Sequence, residues 1–357
     1  MSKEHKVKYI QNLIDYLKKE STYGKGHPDP SISRFNSAFY NLLINNPNTE
    51  YFISEILNLR PYLEIDVLAR LLSRGAQYIL RKKRYKKYIY YSIEEWELII
   101  QKLIHDLNYK DTIIQKNYSH TLPRFRYRAI GALLSIINEQ VIIIDLGCSL
   151  NTGIKCLITG ELDSASIIDQ TPKQIIKKHL NSKYSSLITQ GIGVDMLNSI
   201  RDLNWVKACE YFNNYEHESK IIDRDIQDLH ELEKHNRIIS LNGNITNKNI
   251  FTKIKKTIPT QIRKIINLSL VLYQLNPSQQ KTLINDCKSI MNENDILIEL
   301  NPNNRKDWFS LHNISNTIRI FSQEELSQPF EWLIWDSTSC NQVQAGGDFN
   351  TINKILS

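Results

Sequence analysis

The sequence predicts an α/β protein: a doubly wound, mostly parallel seven-stranded sheet with a helical N-terminal domain. Three observations predict it. Nothing before residue 140 reads as a strand, while amphipathic helical periodicity recurs from residue 4 onward. The run VIIIDLGCSLNTG, Val141 to Gly153, opens with β-branched aliphatics that lead straight into an acid, as in a strand buried on both faces of a parallel sheet. From there, short apolar runs alternate with helical segments, the pattern of βαβ units.

Composition sets the outer bounds. The 357 residues are 41% hydrophobic and 23% charged, an ordinary soluble globular balance. No run of about 18 apolar residues is present, so no membrane-spanning helix is expected. The start, MSKEHKVKYIQNLIDYLKKE, lacks the apolar centre of a signal peptide, which favours a cytoplasmic setting. The five cysteines, 148, 156, 209, 287 and 340, lie far apart without metal-ligand spacing, so neither a disulfide framework nor a metal site is expected. A formal charge of +7 is a mild excess for this length.

The N-terminal elements follow in order. Residues 4–20 place Val7, Ile10, Leu13, Ile14 and Leu17 on one helical face. Ser21 to Ser33 is rich in Gly and Pro and reads as a loop. Helices are expected over 35–44, 51–59 and 64–82. The last runs into RKKRYKKYIYY, residues 81–91, which reads first as a solvated helix end whose cations face the C-terminal dipole. Its competing reading is contact with phosphates and stacked bases. Residues 93–107 open with SIEE, a capping-box pattern. The segment HTLPRFRYRAIGALLSII then carries His120, Arg124, Arg126 and Arg128, which suit either a ligand carboxylate or plain surface charge.

The sheet elements come next. After Val141, strands are expected at GIGVDML (191–197), RIISLNGNI (237–245), KIINLSLVLYQL (264–275), DILIEL (295–300), TIRIFS and FEWLIWDS. ASIIDQT is a further candidate, and helices are expected over TPKQIIKKHL, 205–235, 247–257 and Pro277 to Met291. In such a sheet a ligand sits beyond the carboxyl ends of the strands at the switch point. The turn after Asp145, with Gly147 and Gly153, would let a ligand approach the backbone, and a helix starting near Thr152 would aim its N-terminus at it. An acid ending the next strand would accept ribose hydroxyls. Asp169 sits near the usual spacing of about 20 residues; Asp195 ends the cleaner strand, GIGVD. Gly243-Asn244 ends the third strand, where a polar side chain can meet an adenine amino group. No GxxxxGK[ST] is present.

In order, IIIDLGCSLNTG, GIGVDML, LNGNI and INLSLVLYQL resemble the AdoMet-binding motifs of class I methyltransferases. The block GVDMLNSIRDLNWVKAC, with Trp205, Ala208 and Cys209, further resembles an uncharacterised bacterial family on that fold with a helical N-terminal region. The resemblance spans roughly residues 35–340. It implies S-adenosyl-L-methionine as cofactor, favours Asp195 over Asp169 and makes 154–190 an insertion. The implied cofactor-binding set is Asp145, Gly147, Cys148, Ser149, Asn151, Gly153, Asp195, Met196, Gly243, Asn244, Ile245 and Ser269; Arg124, Arg128 and Tyr273 would face the substrate. Ser149 and Asn151 stand where methyltransferases often carry glycines, and Asn244 where Asp is commoner.

Other roles compete for some of these residues. Asp145 could be a structural acid holding the turn, Trp205 helix core, and Tyr273 packing under the next helix. Glu299 and Asn301 flank the end of the fifth strand without a stated role. No general base stands out, although transfer to an already nucleophilic atom needs mainly positioning. The expectation is an AdoMet-dependent methyltransferase with a helical domain over 1–130 and a Rossmann-like domain over 131–357, acting on a small-molecule, peptide or other acceptor. Its rivals are an AdoMet- or nucleotide-binding regulatory protein, an NAD-dependent oxidoreductase, and an RNA methyltransferase using residues 81–87. Nucleic acid is thus a partner only in the last of these; no membrane partner is expected, and the oligomeric state is left open.

Overall fold

The computed structural model describes residues 3–22, 30–61, 63–83, 88–116, 127–137, 139–161, 166–167, 185–195, 203–209, 215–259, 261–269, 271–272, 275–302, 316–321, 330–335, 342–345, 347–348 and 350–351. In chain order the first helices are α1 (Lys3–Glu20), α2 (Pro30–Asn45), α3 (Pro47–Leu59), α4 (Ile65–Lys82), α5 (Ile93–Leu103), α6 (Leu107–Gln115) and α7 (Arg128–Ile137). Then come β1 (Val141–Leu146), α8 (Thr152–Thr159), β2 (Ser166–Ile167), β3 (Ile188–Asp195), α9 (Leu203–Cys209) and α10 (Tyr215–Lys234). The chain continues through β4 (Ile238–Asn242), α11 (Asn249–Thr257), β5 (Arg263–Ser269), α12 (Pro277–Lys288), β6 (Ile296–Pro302), β7 (Asn316–Phe321), β8 (Phe330–Trp335) and β9 (Gln342–Ala345).

Two compact units result. One is Met1–His120 with Arg201–Ile222; the other is Thr121–Ile200 with Asp223–Ser357. A single boundary at 130/131 therefore does not describe the division, because Arg201–Ile222 returns to the helical unit. The reason is packing at long range. Trp205, Ala208 and Cys209 of α9 are buried in the same apolar core as Leu71 and Leu72 of α4, and the Trp205 ring meets Tyr78 edge to face with centroids 5.7 Å apart.

Local rules account for the helix ends in this unit. Ser92 and Glu95 form the expected reciprocal capping box at the start of α5. The helix expected over 93–107 stops at Leu103, since Asp106 caps a separate α6 through the Asn108 N–H. The loop expected to Ser33 is shorter, because Pro30 suits the first position of α2. Phe35, Phe39, Phe52, Trp96 and Tyr109 fill the core.

In the second unit the described strands form one sheet, ordered β2-β9-β8-β7-β6-β5-β1-β3-β4. It has nine strands rather than the seven expected. Gln342–Ala345 carries too short an apolar pattern to be read as a strand, and ASIIDQT contributes Ser166–Ile167 at the edge. The five strands β4, β3, β1, β5 and β6 are mutually parallel; β7, β8 and β9 are each antiparallel to the strand before them, and β2 pairs parallel to β9 at the edge. The helix expected over 205–235 is two, α9 and α10. Residues 154–159 of the expected insertion belong to α8; TPKQIIKKHL lies outside the described residues.

Alternation across the pleat distributes the helices. Ile142, Ile144 and Leu146 of β1, with Ile192 and Val194 of β3, share a core with Phe251 and Ile254 of α11 and Leu283 and Cys287 of α12. On the opposite face, a Cβ on Gly191 would fall 2.2 Å from the Ile154 side chain, so α8 presses directly on the β3 backbone. After β1 the chain adds β3 and β4 on one side, then crosses to β5 and β6 on the other. This reversal makes the carboxyl end of β1 the switch point of the sheet, where ligands bind in folds of this order.

Candidate functional site

The turn after β1 is held by the end of β3. The N–H groups of Gly147 and Cys148 both donate to the Val194 carbonyl, at 2.9 and 3.3 Å. The Ser149 N–H donates to Asp195 Oδ2 at 2.8 Å. Three of the five residues from 147 to 151 are left-handed: Gly147 at φ 80°, Ser149 at 52° and Asn151 at 60°. For Ser149 that conformation costs about 1–2 kcal/mol, which the three bonds to β3 offset. Glycines at 149 and 151 are thus not needed for the chain to take the turn.

Each residue singled out from the sequence can now be placed. Asp145 is buried and accepts at both oxygens, from the Tyr127 hydroxyl and from Asn267 Nδ2 at 2.8 Å. Ser269 continues the chain of bonds, donating to Asn267 Oδ1 at 2.6 Å. The space above Gly153 holds the Tyr127 ring, 2.0 Å from where a Cβ would stand, and the space beside Gly147 holds Val271, at 2.7 Å. These two glycines admit neighbouring side chains of the protein itself. Gly243 follows β4, donating to the Asp195 carbonyl at 3.0 Å. Asn244 Oδ1 already accepts from the Thr246 N–H and hydroxyl at 3.0 and 2.9 Å, while the partly buried Ile245 packs against the core under the sheet. Cys148 is buried; that burial, with Asp145 and Asp195 close by, pushes its thiol well above the ordinary range, so it is not a nucleophile.

The carboxyl ends of β1, β3 and β4 bring together Asp145, Gly147, Cys148, Ser149, Asn151, Asp195 and Gly243. Met196, Arg124, Tyr273 and Asp169 lie outside the described residues, as does the side chain of Arg128, which opens α7. Trp205 belongs to the other unit's core. Glu299 is buried on β6, opposite Leu268 in the pairing with β5. Among the described residues no cluster of His, Cys, Asp or Glu could hold a metal ion, and no helix is long and apolar enough to cross a membrane.

Several contributors escape the sequence. Asn267 had a signal: an amide inside the apolar run KIINLSLVL must find a partner, and its register mate on β1 is Asp145. Tyr127 had none. Lys155 falls in the stretch expected to be an insertion, yet it is fully buried. Its ammonium lies 2.5 Å from Glu161, 3.1 Å from Asp225 and 3.0 Å from Asp228. Burial alone would lower its pKa, but the bonds it donates to the carboxylates outweigh that and raise it. Asn151, one turn earlier, donates from Nδ2 to Ser240 Oγ at 2.7 Å, and Ser240 donates onward to Glu233.

Comparison with solved structures finds likenesses to an O-methyltransferase family protein from Burkholderia thailandensis and to an S-adenosylmethionine-dependent methyltransferase from Clostridium acetobutylicum ATCC 824. The first is 12% identical over 68% of this chain with a TM-score of 0.30. The second is 11% identical over 74% of this chain and 85% of that one, with a TM-score of 0.23. The chain spans 56% of the length of the Burkholderia protein. At these scores neither likeness carries an argument about activity. No family model and no curated protein sequence matches the chain.

Proposed function

We propose that the sheet unit binds S-adenosyl-L-methionine and that the protein is a class I methyltransferase. One observation carries this reading: Asp195 ends the strand beside β1, at the switch point, and the turn after β1 is bonded to its carboxylate. An acid in this place is what a ribose diol needs. The residues therefore fit a ribonucleoside, with Asp195 on the ribose and the 147–151 turn alongside it. Tyr127, Asn267 and Ser269 keep Asp145 fixed behind the turn. Asn244 faces its own turn, so the adenine would be held by shape and apolar contact near Ile245.

The bound cofactor would supply a methyl group on an electron-poor sulfonium. The protein's share is positioning and exclusion of water around an acceptor that is itself nucleophilic. The acceptor is a small molecule, a peptide or another group. Nucleic acid is less favoured: Lys83 is paired with Asp106 at 3.1 Å and Lys82 sits 4.4 Å above the Tyr78 ring. Titration of the full chain with AdoMet, its demethylated product and NAD tests the reading. Micromolar binding of the first two is expected, with a rise in melting temperature worth about 2.7 kcal/mol at a hundredfold excess over Kd. A response to NAD alone overturns it.

A further inference from the structure

We propose that Lys155 is a positioning residue for the cofactor turn, holding α8 and the turn before it against α10. This rests on the reading of the 147–151 turn as the cofactor site. The arrangement is two-point. Asn151 reaches Glu233, near the end of α10, through Ser240 of β4. Four residues later Lys155 reaches Asp228 and Asp225, farther back along the same helix. α10 is thus met twice, once through β4 from the residue that precedes α8 and once directly from within α8. Glu161, just past the end of α8, closes on the same ammonium.

This arrangement is a poor way to gain stability. A buried ion pair roughly recovers its desolvation cost, and a cation in the first turns of a helix opposes the dipole. Its strength is in geometry: the ammonium has one place where it meets Glu161, Asp225 and Asp228, and that place fixes both the rotation and the register of α8. The residue that caps α8 is Asn151, held left-handed at φ 60° without a side-chain cap bond, and two positions before it Ser149 donates to Asp195. A small rotation of α8 would therefore pull the Ser149 N–H away from the carboxylate that receives the ribose.

The test uses the full chain. Lys155→Met leaves Glu161, Asp225 and Asp228 facing one another and threatens folding, so it is made together with Asp225→Asn and Asp228→Asn; Asp228→Asn alone is the milder variant. Two readouts are taken: Kd for the demethylated product of AdoMet by calorimetry, and hydrogen exchange of the amides from 147 to 151 without ligand. The expected result is at least tenfold weaker binding and at least tenfold faster exchange at Ser149 in the triple variant, with a smaller change of the same sign in Asp228→Asn. Unchanged exchange and a Kd within twofold of the parent, whatever the melting temperature does, overturn the positioning role. Failure of the unsubstituted chain to bind the ligand overturns the cofactor reading instead. The exchange comparison still decides whether Lys155 holds the turn.

Discussion

Ser149 and Asp195, 46 positions apart in the sequence, are joined by a backbone N–H donating to a side-chain carboxylate at 2.8 Å. The bond makes the conformation of one strand's exit turn depend on the residue that closes its neighbour. On the proposed reading Asp195 then has two tasks, shaping the turn and receiving a ligand.

The two tasks separate by substitution. Asp195→Ala should weaken AdoMet binding at least tenfold, about 1.4 kcal/mol, and should lower the melting temperature of the ligand-free protein by releasing Ser149. Asp169→Ala should change affinity by no more than a few-fold. Calorimetry on the two variants decides, and the reverse ranking would move the ribose acceptor to the segment containing Asp169.

Tyr127 and Gly153 form a second pair. Tyr127→Phe keeps the ring over Gly153 but leaves one Asp145 oxygen without its hydroxyl donor. Denaturant unfolding should show a loss of about 1–3 kcal/mol. Gly153→Ala should cost at least as much, since its Cβ would stand 2.0 Å from the ring. Combining Gly153→Ala with Tyr127→Leu should be less than additive, because the smaller side chain removes the clash. Full additivity would mean that the ring and the glycine do not share that space in solution.

Substituting glutamine along residues 81–87 should leave cofactor binding unchanged. It should also leave RNA affinity at the non-specific level, with no change in its salt dependence. A parent chain whose RNA binding falls steeply with salt, by a slope of about 0.7 per phosphate contacted, and which loses that slope on substitution, would instead establish a nucleic-acid acceptor.

Buried thiols give a chemical check on the packing. Cys148, Cys156, Cys209 and Cys287 are buried and form no disulfide. The thiols of Cys148 and Cys287 are pushed far above the ordinary value, chiefly by burial. A raised pKa keeps them protonated throughout the neutral range, so iodoacetamide at pH 8 should label these positions only after denaturation. Mass spectrometry reads this directly. Rapid labelling of Cys148 in the native state would show that the turn opens.

How far the fold could be read from the sequence depended on whether the signal was local. The β1 run declares itself through its unbroken β-branched residues, and Ser92 with Glu95 announces the start of α5. Asp195 stands out because a clean apolar strand ends on it. Lys155 does not, since a lysine's burial is decided by carboxylates that arrive 70 positions later. The same holds for Trp205, whose partner Tyr78 lies in a helix formed far earlier in the chain. The turn carries a subtler case. Its glycines suggest space for a ligand, but what occupies the space beside Gly147 and Gly153 is Val271 and Tyr127, and no local pattern announces either neighbour.

The return of Arg201–Ile222 to the helical unit bears on how the protein is made. During synthesis α1 to α6 emerge first, yet the core they build is still missing Trp205, Ala208 and Cys209. By the time those residues arrive, β1 and β3 have already been produced, while β4, the neighbour of β3, has not. Neither unit can be completed before work on the other has begun, so the two cores must mature in an interleaved sequence, and no single cut of the chain releases either one whole.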